Sequence, residues 1–125
     1  MATNYLQEGR VVDWTNGGSD VLSGAIVVIG SNGDAVLGVA IDDIAAGAVG
    51  AVGVEGVWDV AKADAAVIEA GEYVLWDASA SNVDDNQAVG AAGDVADGAW
   101  AVESKGATTG ATIAVKLTGQ PGVLS

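Results

Sequence analysis

The sequence predicts an all-β protein: a small single-domain β-barrel or sandwich with an extended N-terminal arm and at most one short helical turn. Three observations lead there. Short β-prone runs are cut by glycine, asparagine and aspartate at intervals of roughly eight to twelve residues, the spacing of a sandwich or barrel. The run "AAGAVGAVGVEGVWDV", Ala45 to Val60, reads at period two, with Ala48, Val52, Val54, Trp58 and Val60 on one face and Glu55 and Asp59 on the other. Only "AKADAAVIEA", Ala61 to Ala70, offers a helical reading, and about one turn of it.

The elements follow in order. Arg10 to Trp14 alternates as a strand, and "TNGGSD" turns. Ala25 to Ile29 is a continuous apolar strand, "GSNGD" is a strong hairpin signal, and Ala35 to Ile41 is its partner. Next comes the run with glycine at every third position, Gly47, Gly50, Gly53 and Gly56. A collagen triple helix would need a long such run rich in proline, and Pro121 is the chain's single proline. A phosphate loop would need its glycines at a helix N-terminus, and a Walker loop Gly-Lys-Ser/Thr, which is absent. A strongly bent strand remains, with Gly50 and Gly56 making room on the apolar face and Gly53 on the outer one. Further strands are expected at Glu72–Ser79, within "SASNVDDNQ", and at Ala88–Ala92, Gly98–Glu103 and Ala111–Leu117. Residues 1–9 form an arm, 10–119 the β-rich domain, and 120–125 a C-terminal tail. The two ends are expected to fray or to add a strand to a neighbour's open edge.

Composition narrows the function. The 125 residues suit one domain, but there is no Phe and only one Met, so large core groups come from four Trp, two Tyr and the Leu/Ile set. Such a core is thin, and assembly is expected to add stability. Seventeen acidic residues face four basic ones, a formal charge of −13, which disfavours nucleic acid as a partner and keeps an Ala/Val-rich chain soluble. Absence of cysteine and histidine removes disulfides, thiolate sites, the usual general base and nearly all zinc sites. No signal peptide is evident, and the longest apolar run, "AIVVI", is too short to span a bilayer, so neither a cofactor nor a membrane is expected.

Acidic loops at Asp42-Asp43 and Val83–Gln87 lack the spacing of a calcium loop and read as solvated carboxylates. The pairs Trp58-Asp59 and Trp76-Asp77 are too close for propeller blades and read as core tryptophans followed by exposed aspartates. Nothing places two of the acids together in a cleft, as glycoside hydrolysis would require. No enzyme is expected. A carbohydrate- or cell-surface-binding β-module, with Trp100 or Trp14 as a stacking platform, is the alternative to a structural role.

The order of motifs resembles the capsid cement, or head decoration, proteins of tailed phages. Asn4, Tyr5, Gln7 and Gly9 match its opening stretch, Ser23-Gly24 precede an apolar strand, and Gly38-Val39-Ala40 lead into Asp43 and the Ala45-Ala46-Gly47 turn. Gly56-Val57-Trp58 with Lys62, then Gly71, Val74 and Trp76-Asp77, and finally Val115, Leu117 and Gly119 complete it. The chain departs in Val60-Ala61, where a proline before the lysine is common, and in the added "QPGVLS". The resemblance implies a β-rich protein made in the host cytoplasm and seated outside the icosahedral shell. It also implies homotrimers at three-fold and quasi-three-fold positions that bridge major capsid subunits. Relatives are sometimes labelled RecA-type recombinases, but the absence of Gly-Lys-Ser/Thr argues against ATPase chemistry here. The expected capsid or trimer contacts are the arm residues Asn4, Tyr5, Leu6 and Gln7, the scarce cations Arg10 and Lys62, and Trp58.

Overall fold

The computed structural model describes residues 9–86, 88 and 90–125. Eleven strands form among them: β1 (Val11–Thr15), β2 (Ile26–Ile29), β3 (Asp34–Ala40), β4 (Val49–Gly53), β5 (Glu55–Ala61), β6 (Val74–Asp77), β7 (Asn82–Asp85), β8 (Val95–Ala96), β9 (Ala99–Ala101), β10 (Thr112–Thr118) and β11 (Gly122–Leu124). They make two antiparallel sheets. The larger runs β1-β4-β3-β11-β8-β6-β7, with β2 on the other edge of β3, and the smaller runs β5-β10-β9. Because β2 pairs only with β3 and β5 only with β10, each sheet keeps an edge and the fold is a sandwich rather than a closed barrel. Isolated bridges at Lys62–Val83 and Tyr73–Trp100 join the sheets at corners.

The main core lies between the sheets. Alternation along β10 sends Ile113, Val115 and Leu117 inward against Leu37, Val74, Val83 and Val95, all buried. A second core, built on Val27, Ile44, Val52 and Val54, covers the opposite face of β3, with Trp14 packed against it half-buried. Strand β3 is thus buried on both faces, which explains its nearly continuous apolar sequence.

The glycine-spaced run is not one bent strand. It breaks at Val54, so that β4 stays in the large sheet and β5 enters the small one. Gly50 does make room, for the side chain of Ile44. Gly53, expected on the outer face, is instead buried: a Cβ there would stand 2.8 Å from the Trp58 ring. The chain passes between sheets where both flanking glycines let Trp58 lie against the backbone.

Other expectations change as well. No helix forms among the described residues; the 61–70 stretch holds a turn, with Ala66 N donating to Ala63 O, and an extended Ile68 bridged to Lys105. No strand forms at the described residues of the 88–92 stretch, which lead into another turn. The tail expected to fray, 120–125, carries β11, and Ser125 exchanges backbone hydrogen bonds with Gly93 and Asp94.

One device recurs. Before β2, β4, β6 and β8, the turns Leu22–Ala25, Ala45–Ala48, Glu69–Glu72 and Ala91–Asp94 each close with a backbone hydrogen bond from the fourth residue to the first. Each has glycine third, with φ between +79° and +92°, the signature of a type II turn. Beside two of them Val21 and Ile44 exchange backbone hydrogen bonds, while Asp20 Oδ1 accepts from Ala46 N and Asp43 Oδ1 from Ser23 N. The arrangement has local two-fold symmetry.

Candidate functional site

Strand β10 is the middle of the small sheet, so its outward residues meet partners on both sides. Lys116 stands opposite Val57 on β5 and opposite Trp100 on β9, and Trp100 bridges to Tyr73. Residues directly opposite across a ladder share a face. Val57, Lys116, Trp100 and Tyr73 therefore form one row across the outside of the sheet. Val57 is 59 % exposed and Tyr73 49 %, high for side chains of this kind.

Beside its middle pair, Lys116 and Trp100, the row borders a cleft of about 480 Å³ lined also by Arg10, Glu55, Gly56 and Thr118. The Lys116 ammonium lies over the Trp100 ring, 6.0 Å from its centroid, at the outer reach of a cation–π contact. The Glu55 side chain lies against Gly119, whose φ of +73° turns the chain there. Two cations and one carboxylate beside an aromatic wall suit a carboxylate-bearing ligand, because the charges attract it and the ring shields the contact from water.

The expected contact residues disperse. Arg10 is exposed in the cleft. Trp58 faces inward: half-buried against the main core, it donates its ring N–H to Glu55 O at 3.1 Å. Lys62 is a correction. It is 3 % exposed, and its ammonium donates to the carbonyls of Ala63 and Ala66, each at 2.6 Å. Those carbonyls belong to the turn that follows β5, so the cation ties the chain down and is not available at the surface. Asn4, Tyr5, Leu6 and Gln7 lie outside the described residues.

Several other loop carboxylates hold turns together. Asp94 is buried and accepts from Ala78 N and Ala91 N, Asp64 accepts from Gly110 N, and Asp77 Oδ1 accepts from Ser79 Oγ, Ser79 N and Ala80 N. The Ser79 hydroxyl, with the Ala80 amide, holds the Asp77 carboxyl below the usual aspartate range. Buried Asn16 works the same way in the "TNGGSD" turn, donating to Ser19 O and Ile44 O and accepting from Gly18 N.

Sequence reasoning missed Lys116, Tyr73 and Val57 as a group. A signal existed for Lys116, since strict alternation from Ile113 to Leu117 points it outward. Its placement beside Trp100 and Val57 depends on register between distant strands, which no local pattern encodes.

No curated protein and no solved structure matches this chain significantly. A family model described as phage cement protein matches residues 6–117, which take in β1 to β9 whole, β10 up to Leu117, the exposed row, and all of the cleft lining but Thr118. With that span, and with the all-β sandwich found beneath it, the chain belongs to the phage cement protein family.

Proposed function

We propose that this protein binds the outside of the expanded icosahedral shell of a tailed phage. There it sits as a homotrimer at three-fold and quasi-three-fold positions and bridges major capsid subunits. The observation that carries this reading is the family match over residues 6–117. Its mechanism is mass action: a subunit with affinity for the expanded shell alone stabilises that state by its differential affinity, and many small contacts together oppose internal pressure. The role is structural rather than enzymatic, in keeping with a chain that has neither histidine nor cysteine.

Asn4, Tyr5, Leu6 and Gln7 are proposed as the shell contact, with Arg10 at their point of attachment to the sandwich. The test is co-sedimentation with expanded and unexpanded shells. Saturable binding at fixed stoichiometry to expanded shells supports the reading, and equal binding to both kinds of shell, or to neither, overturns it. Deleting residues 2–8 is expected to abolish binding; undiminished binding would remove the arm from the contact. Carbohydrate stacking on Trp100 is disfavoured by the Lys116 ammonium that lies over its ring, and Trp14, the other candidate platform, is half-buried against the second core.

A further inference from the structure

The chain has four cationic side chains, and two of them have partners within the chain, one buried and one at the surface. Lys62 is buried on carbonyls, and Lys105 lies 3.4 Å from Glu103. The other two, Arg10 and Lys116, line the same cleft. Beside them run Val57, Trp100 and Tyr73, the exposed row of the small sheet. Two of the four cationic side chains are therefore gathered at one place, next to an exposed row that carries Val57 and Tyr73.

Copies of a chain with charge −13 repel one another once they approach within the Debye length, about 8 Å at physiological ionic strength. Self-association is eased where a cation of one copy meets an anion of the next. Carboxylates are plentiful on such a surface, whereas Arg10 and Lys116, two of the four cations, stand together in this cleft. We infer that the outer face of the three-stranded sheet is a self-association surface. The cleft between Arg10 and Lys116 receives a carboxylate from an acidic loop of a second copy, and Val57, Trp100 and Tyr73 close over the contact. The aromatic and aliphatic side chains supply buried area, and the cations set orientation. Glu55 leaves the cleft one positive charge in excess, two cations less one carboxylate. In the homotrimer proposed above, cleft and acidic loop meet head-to-tail, each copy offering both. This inference rests on the self-association proposed above, and commits to a second copy as the occupant.

The test uses the full chain, mixed in equal parts with and without nitrogen-15 and treated with a zero-length carbodiimide, which joins an amine to a carboxylate in direct contact. Mixed-isotope peptides linking Lys116 to an aspartate or glutamate of the other copy are expected. Lys105 linked to Glu103 within one copy serves as internal control. In parallel, sedimentation of R10E/K116E is expected to show at least a tenfold weakening of assembly, with R10Q/K116Q replacing it if charge reversal prevents folding. A wild-type oligomer without mixed Lys116 peptides, a double variant of unchanged mass, or a wild type that stays monomeric overturns the inference. A double variant that assembles normally but no longer binds shells also overturns it, and assigns the cleft to the shell. Loss of assembly in the variant, with a wild type that ignores shells, would sustain the inference and sink the cement reading.

Discussion

Lys62 is the residue whose surroundings depart furthest from its type, because lysine is seldom buried without a carboxylate partner. Its stem fills space under the small sheet and its ammonium satisfies two carbonyls of a turn. Lys62→Ala is expected to destabilise the fold by about 2–4 kcal/mol, the range for a lost buried stem together with orphaned acceptors. Urea unfolding reads this, and an unchanged midpoint would mean that water replaces the ammonium without loss. Asp77 offers a pH test. Its pKa is lowered in the folded state, so its contribution to stability is full above the ordinary aspartate range and is lost as pH falls through the lowered value. Ser79→Ala is expected to move its titration upward, as followed by carboxyl-carbon NMR. A titration that stays put would assign the effect to the backbone amides alone. Neither environment was legible in the sequence. A lysine four residues from a carbonyl acceptor, or an aspartate two before a serine, is common in loops, and only the turn that folds around it makes the contact.

At the scale of elements, the hairpin β2–β3 and strands β1, β7 and β10 were readable, because each carries either a period-two pattern or a sharp turn signal. Strands β8 and β11 have two and three residues and cannot show a period. They exist because neighbouring strands supply their hydrogen bonds. At Gly122 a Cβ would overlap Ala96 O and stand 2.8 Å from Gly98 N, so β11 pairs at this distance only with glycine there. Gly122→Ala is expected to cost about 1–3 kcal/mol, the range for overpacking, and to speed hydrogen exchange at Leu124 and Ser125 before the rest of the sheet. Uniform exchange rates would mean that β11 shifts without detaching. The type II turns give a cleaner backbone test. Gly47 has φ +79° and open space around the position of a Cβ, so Gly47→Ala meets strain alone, about 1–2 kcal/mol. Gly9→Ala, also in open space and without positive φ, is the neutral control.

For the whole molecule, the core is made mainly of valine and alanine. If the protein acts as cement, the temperature at which expanded shells disrupt should rise with the logarithm of free protein concentration. The gain is about 2.7 kcal/mol per site at a hundredfold excess over Kd. Light scattering of heated shells measures it; a rise independent of concentration would point to irreversible coating instead of linkage. The sequence by itself determined the all-β class, the acidic surface, the lack of histidine and cysteine chemistry, and the family resemblance. All of these are properties of composition or of local period and motif order. The tertiary structure alone decided that the glycine-spaced run is divided between two sheets, that the C-terminal segment is a strand, that Lys62 is inside, and that Arg10 and Lys116 share a cleft with Trp100. The physical reason is common to all four. Each depends on pairing between strands far apart in the chain, where burial and register are set by partners that no neighbouring residue specifies.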